Sequence, residues 1–134
     1  MTYETGLPDG LLEIAVLVTA RERDCQYEWT QWETRGSAPA DPHHIEPAII
    51  GIIKYDRAVV GLGEREAAII NLGRGMFAEE KVSSATFPEV LRLFGRRGTM
   101  DLIELMTLYS QDAAGLAAFD QQLAEGQKPL LPFR

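Results

Sequence analysis

The amino-acid sequence predicts an all-α protein with one domain, spanning residues 1–134. Apolar residues recur at helical spacing along most of the chain, and Gly and Pro residues separate these periodic segments. No turn dipeptide is flanked by two alternating segments, which is the pattern typical of paired strands. A chain of this length also suits one domain with a sizeable buried core.

The first two helices are predicted on either side of Asp24. Residues 11–18 are apolar all around the helix axis except for one glutamate, so this segment must be buried on most sides. Residues 19–35 continue in helix-compatible residues, and a second helix can begin at Asp24, because aspartate is a favoured N-cap residue. The segment 36–42 is rich in Pro and small residues and is the clearest loop.

The rest of the chain is predicted as further helices and an extended tail. Three helices are expected over about residues 44–57, with Pro47 in the first turn, 64–80 and 84–94. Gly95 ends the last of these, and Thr99 caps a long final helix that runs to about Phe119. The tail after residue 126 contains two prolines, so it is expected to lie extended over its own domain or a neighbouring subunit.

Composition and charge exclude several classes of partner. The net charge is −7 and the thirteen basic residues are scattered, so we expect neither nucleic acid nor an anionic membrane as a partner. The single Cys25 allows no intramolecular disulfide, and the N-terminus has no signal-peptide pattern, so a cytoplasmic protein is expected. No phosphate, dinucleotide or zinc motif is present, so no cofactor or metal is expected.

Glu13, Cys25 and Glu28 are the candidate catalytic residues. Glu13 lies in an apolar run, so it pairs with an arginine, lies in a functional pocket, or is exposed at the start of its helix. Cys25 would lie in the first turn of the second helix, where free backbone N–H groups favour a thiolate. The alternative for Cys25 is a small buried residue at a helix junction.

The candidate substrate-binding residues are close to these three in sequence. Glu28 and Trp32 are one turn apart, with Tyr27 and Trp29 beside them. The two Trp and one Tyr form an aromatic wall that suits a small organic ligand or packs in the core or an interface. Arg21, or Arg23 beside it, is a candidate for binding a substrate carboxylate.

Two adjacent histidines follow in a loop. His43 and His44 are expected on the surface unless one enters the pocket as a proton carrier, and His44 is taken as the candidate.

Several segments resemble carboxymuconolactone decarboxylase-like proteins. They are Leu12-Glu-Ile-Ala-Val-Leu-Val-Thr-Ala-Arg21, Cys25-Gln-Tyr-Glu-Trp29, Gly63-Glu-Arg-Glu-Ala67, Val82-Ser-Ser-Ala-Thr-Phe87 and Asp101-Leu-Ile-Glu-Leu-Met106. The resemblance covers about residues 11–119, in the family's order. It implies the all-helical fold shared with alkyl hydroperoxidase D, assembled as dimers, trimers or hexamers.

The chain departs from the signature of the redox branch of that family, in which a glutamate precedes Cys-x-x-Cys-x-x-x-His. The glutamate falls on Glu13 and the first cysteine on Cys25, whereas Glu28 and Trp32 replace the second cysteine and the histidine. A dithiol–disulfide cycle within the chain is therefore ruled out. The decarboxylase branch usually keeps the histidine, so Trp32 departs from that branch as well.

Three functions follow as hypotheses. The first is a lyase- or isomerase-like enzyme on a small carboxylated substrate, with proton transfer by Glu13 and Glu28. The second is a one-cysteine peroxidase of the peroxiredoxin type, in which Cys25 is oxidised to a sulfenic acid. The third is a non-catalytic subunit for ligand binding or assembly. In each case we expect a homo-oligomer, because the apolar first helix and tail should bury surface against other copies.

Overall fold

The computed structural model describes residues 6–79 and 81–133. Over these residues it contains five α-helices and no strand, which confirms the all-α prediction. The helices are α1 (Asp9–Glu22), α2 (Gln26–Ser37), α3 (Pro47–Lys54), α4 (Glu64–Phe77) and α5 (Thr86–Ala118). In the described part of the chain, no helix has the length and apolar character needed to cross a membrane.

Helix α1 lies at the centre of the fold. It contacts each of the other four helices, and eleven of its fourteen residues are buried, as its all-round apolar sequence predicted. Gly73 of α4 permits a close approach to α1. A Cβ atom at that position would lie 2.7 Å from Cγ1 of Val18 and 2.8 Å from Cε of Met106. The packing of α4 against α1 and α5 therefore depends on a residue without a side chain.

The break between α1 and α2 lies close to its predicted position, but its cap is different. Asp24 has a left-handed backbone with φ of 51°, and Cys25 rather than Asp24 is the N-cap residue of α2. Aspartate tolerates the left-handed region better than most residues, and the carboxylate of Asp24 accepts a hydrogen bond from Arg21 at the end of α1. Consequently the Cys25 thiol precedes the first turn of α2 instead of lying within it.

Helices α3 and α4 are shorter than predicted. Helix α3 begins at Pro47, whose ring is compatible only with the first turn, and it ends before the left-handed Asp56. Helix α4 ends at Phe77. The predicted end of α4, near Glu80, lies outside the described residues.

Helix α5 joins two helices that the sequence predicted as separate. The predicted break at Gly95 is present as a kink, because Gly95 has φ of 70° and ψ of 179° inside the helix. The prediction that Thr99 caps a new helix is wrong. Thr99 is buried, and its hydroxyl donates a hydrogen bond of 2.7 Å to the carbonyl of Gly95. This side-chain bond to the backbone four residues earlier joins Thr99 to the kinked turn.

The C-terminal segment, residues 126–133, lies against its own domain. This was one of the two predicted alternatives, the other being a neighbouring subunit. The side-chain amide of Gln26 on α2 binds it as a neighbouring strand would. Its Nε2 donates to the carbonyl of Leu131 at 2.7 Å, and its Oε1 accepts from the Leu131 amide at 2.8 Å. Leu131 is thereby buried in the core cluster.

Candidate functional site

An open groove of about 980 Å³ lies between α2 and the C-terminal part of α5. Its lining residues are Tyr27, Glu28, Gln31, Trp32, Tyr109, Gln111, Asp112, Ala114, Gly115, Leu116, Phe119 and Gln121. We call this the α2–α5 groove. Four of the twelve lining residues are aromatic, and Glu28 and Asp112 are the charged residues among the described residues that line it. A groove of this size suits a small organic molecule.

Glu28 is the buried acid of the α2–α5 groove. Its residue is only 6% exposed, and its Oε2 atom has no hydrogen-bond partner among the described residues. Burial raises the pKa of Glu28 to about 7, and the negative charge of Asp112 adds to this effect. A carboxyl group that ionises near neutral pH is well suited to accept and return a proton.

Glu13 lies behind the groove, inside the core. It is 0% exposed, and neither of its carboxyl oxygens has a hydrogen-bond partner within the described part of the chain. The guanidinium of Arg35 is close, with Nε 3.6 Å from Oε1 of Glu13, which is an ion-pair distance but longer than a hydrogen bond. Burial raises the pKa of Glu13 to about 8, although Arg35 opposes the shift. Glu13 is therefore mostly protonated at neutral pH.

Two aromatic residues connect Arg35 with the wall of the groove. The guanidinium of Arg35 lies 3.8 Å from the centroid of the Trp32 ring, in a cation–π contact. Trp32 in turn contacts Tyr109 edge to face, with ring centroids 5.4 Å apart. Both rings line the groove. A chain of contacts thus runs from Glu13 through Arg35 to the groove wall, although Glu13 itself does not line the groove.

Cys25 is buried at the N-terminus of α2 and does not line the α2–α5 groove. Burial raises the pKa of the thiol, whereas the backbone N–H groups of Glu28 and Tyr27 lower it. Because burial is the larger effect, the thiol is mainly protonated at neutral pH and is a weak nucleophile. The structure therefore brings one predicted catalytic residue, Glu28, to the groove and places the other two behind it.

Arg21 is a structural residue in the fold. It is 1% exposed, and its guanidinium donates hydrogen bonds to the carbonyls of Lys54 and Pro132 and to the carboxylate of Asp24. It joins the end of α1 to α3 and to the C-terminal segment. It lines a second groove beside that segment and not the α2–α5 groove.

His44 also lies away from the α2–α5 groove. It lines a third cavity, between the start of α1, α3 and α4. The neighbouring His43 is the histidine on the α2 side, where its ring lies 6.1 Å from the Trp32 ring and its Nδ1 atom is 3.1 Å from the Asp41 carboxylate. Tyr27 and Trp32, in contrast, line the α2–α5 groove as predicted substrate-binding residues would.

Three residues of this region were not singled out from the sequence. Tyr109 and Asp112 lie on one face of α5, three residues apart, and this spacing was the available signal. Arg35 lies at the end of α2, and nothing local indicates that it would contact Glu13. Among the described residues, no three His, Cys, Asp or Glu side chains are grouped so that they could hold a metal ion.

Comparisons with protein-family models, with curated proteins and with solved structures found no match. The resemblance to carboxymuconolactone decarboxylase-like proteins therefore stays a prediction made from the sequence.

Proposed function

We propose that the protein is a lyase- or isomerase-type enzyme that moves a proton on a small organic substrate bound in the α2–α5 groove. Glu28 is the catalytic acid–base residue in this proposal. The observation that carries it is the buried Glu28 carboxyl, which lines an aromatic groove with one oxygen unpaired and has a pKa of about 7. Acid–base catalysis is most efficient when the pKa lies near the working pH. The sequence resemblance supports the same class of reaction.

Glu13 is a positioning residue in this proposal and does not share the proton transfer directly. It does not line the groove, but it is the acidic partner of Arg35, and Arg35 stacks on Trp32. Glu13 therefore helps to fix the orientation of the indole that forms part of the substrate wall. The two glutamates occupy different environments, which is the arrangement that separates the roles of paired carboxyl groups.

The substrate is proposed to be neutral or cationic, in place of the carboxylated substrate expected from the sequence. That expectation depended on Arg21 or Arg23 as a carboxylate-binding residue. The hydrogen bonds of Arg21 tie helices together, and Arg23 donates to the Ser110 hydroxyl and lies over the Phe77 ring. Among the described residues that line the α2–α5 groove there is no basic side chain, so a substrate carboxylate would be repelled by Glu28 and Asp112.

The role of Glu28 can be tested with a substrate whose reaction requires only the removal of a proton by a base. Nitrobenzisoxazole is neutral and planar, and removal of its ring C–H proton by a base breaks the N–O bond and releases a coloured cyanophenolate. We expect turnover to rise with pH through about 7, as Glu28 ionises. Glu28→Gln should lower kcat/KM by about 100-fold, because it removes the base, while Cys25→Ser should leave it unchanged.

Two results would contradict the proposal. One is a rate no higher than that of free acetate at the same concentration of carboxylate. The other is full activity of a folded Glu28→Gln protein, checked by circular dichroism, because another group would then be the base.

The second candidate function is a non-catalytic ligand-binding protein. One observation favours it: of the three predicted catalytic residues, only Glu28 lines the groove. Saturable binding of a small ligand that Glu28→Gln weakens, in a protein without turnover on any proton-transfer substrate, would favour this candidate over the enzyme.

We also propose that the protein has the alkyl hydroperoxidase D-like fold and forms a dimer, trimer or hexamer of identical chains. Large apolar side chains on the surface support an assembly of this kind; they include Tyr55, Val60, Met100, Phe119 and Phe133. Light scattering at micromolar concentration should give a multiple of the chain mass. A monomeric mass would contradict the proposed assembly.

A further inference from the structure

We infer that the α2–α5 groove recognises organic ammonium compounds, that is, small molecules with a positively charged nitrogen on an apolar body. This inference rests on the proposed function in that it takes the groove as the substrate site. It deepens that function by giving the chemical class of the substrate. Three observations support it: the charges of the groove, the missing partner of Glu28, and the aromatic walls.

The charges of the groove have one sign. Glu28 is buried and Asp112 is exposed, and both belong to the described lining, which contains no Lys, Arg or His. The two carboxylates are close enough for Asp112 to raise the pKa of Glu28. A cation bound between them would relieve this repulsion, whereas an anionic ligand would add to it.

Glu28 lacks the basic partner that two other buried glutamates have. Glu13 lies beside Arg35, and Glu33 accepts a hydrogen bond of 2.6 Å from Nζ of Lys54. Glu28 has no ion pair with the described residues, and its buried Oε2 has no hydrogen-bond donor. Because buried carboxylates are normally paired, a positive charge close to this carboxyl group is what the site lacks. A ligand ammonium would supply it.

The walls of the groove are suited to the same ligand. Four aromatic side chains line it: Tyr27, Trp32, Tyr109 and Phe119. Faces of aromatic rings attract cations, and proteins use this attraction to bind quaternary ammonium ligands. The Trp32 ring already holds one cation, the Arg35 guanidinium. The apolar body of the ligand would lie against Ala114 and Leu116, which also line the groove.

Titration calorimetry with three benzyl compounds tests the inference without any need for turnover. Benzyltrimethylammonium is a permanent cation, benzyl alcohol is neutral and phenylacetate is an anion, while all three carry the same ring. At about pH 8 Glu28 is mostly ionised. We expect the cation to bind about tenfold or more tightly than the alcohol, because charge and cation–π attraction add to the contacts of the ring. Phenylacetate should show no saturable binding.

Three variants locate the binding site. Glu28→Gln should weaken binding of the cation by about tenfold, and Asp112→Asn by about threefold, since its carboxylate is exposed and more screened. Glu79→Gln removes the same charge from an exposed residue outside the groove lining and should change nothing. Binding of benzyl alcohol should be the same in all three variants. Because Asp112 is exposed, its substitution tests the inference even if Glu28→Gln does not fold.

Equal affinity for the cation and the alcohol would overturn the inference, and so would cation binding that neither groove substitution weakens. The proposed enzyme activity and the proposed ammonium specificity can be contradicted independently of each other. Tight binding of the cation in a protein without proton-transfer activity contradicts the proposed enzyme alone. Turnover of nitrobenzisoxazole together with equal binding of cation and alcohol contradicts the ammonium specificity alone.

Discussion

The carboxyl group of Glu13 lies against the backbone of Gly36. A Cβ atom at position 36 would be 2.9 Å from Oε2 of Glu13 and 3.1 Å from its Cδ atom. Position 36 can therefore hold a side chain only if the buried carboxyl group moves. Gly36, near the end of α2, thus leaves room for the carboxyl group of Glu13 on α1.

This contact predicts that Gly36→Ala destabilises the protein by about 1–3 kcal/mol, as overpacking of a core usually does. Urea unfolding measures the change, and Gly115→Ala is the matched control. A Cβ at Gly115 would meet nothing within 4 Å, so alanine there should stabilise α5 by about 0.5–1 kcal/mol. Equal effects of the two substitutions would contradict the contact. In a Glu13→Ala background, the cost of Gly36→Ala should largely disappear.

Burial of Glu13 predicts a pH dependence of stability. Its pKa is raised from 4.5 in the unfolded chain to about 8 in the folded protein, so between these values the folded state binds the proton more tightly. The free energy of unfolding should therefore fall as the pH rises from about 4.5 to about 8. Glutamine stays neutral, so the free energy of unfolding of Glu13→Gln should fall less over this range, by on the order of 3 kcal/mol.

The pH dependence is measured by urea unfolding of both proteins at a series of pH values. The pKa of Glu28 is also raised, so its ionisation lowers the free energy of unfolding as well. Glu28→Gln is therefore the comparison that separates the effects of the two acids. Parallel curves for the wild type and Glu13→Gln would show that Glu13 is not protonated in the folded state.

The Gln26 amide predicts a local effect on the C-terminal segment. Gln26→Glu keeps the acceptor but cannot donate to the Leu131 carbonyl. We expect faster amide hydrogen exchange at Leu130 and Leu131, corresponding to about 1–2 kcal/mol of lost local stability. Gln31→Glu is the control, because the Gln31 amide donates to the side chain of Gln127 and not to Leu130 or Leu131. Unchanged exchange in Gln26→Glu would show that Gln26 does not hold the segment.

Burial of Cys25 predicts low reactivity. Its residue is 9% exposed and its thiol pKa is raised, so a thiol reagent such as dithiobis-nitrobenzoate should react slowly with the native protein at neutral pH and fast with the urea-unfolded chain. A sulfenic-acid probe should likewise leave native Cys25 unlabelled at micromolar peroxide. Rapid labelling of the native protein would instead favour the one-cysteine peroxidase.

Periodicity in the sequence predicted those features of the fold that depend on neighbouring residues. The all-round apolar α1, the break near Asp24 and the extended C-terminal segment are confirmed. The cap of α2 was placed one residue too early. Residue preference alone favoured aspartate as the cap, but its hydrogen bond to Arg21 holds it at the end of α1 instead.

Only the part of the groove that lies on α2 was predicted from the sequence. Glu28 and Trp32 share the groove because they are one turn apart on one face of α2, and Tyr27 lines it beside them. The partners across the groove, Tyr109 and Asp112, are far away in sequence. Their position depends on how α5 packs against α1, and this packing cannot be predicted from the spacing of neighbouring residues in the sequence.

The central position of α1 has a consequence for synthesis. The helix precedes in the chain every helix that covers it, and Met106, which packs near Val18 and Gly73, follows only in the second half of α5. On the ribosome, the apolar surface of α1 therefore stays uncovered until most of the chain has been translated. The core of the domain can therefore close only after the second half of α5 has been synthesised, long after its first helix.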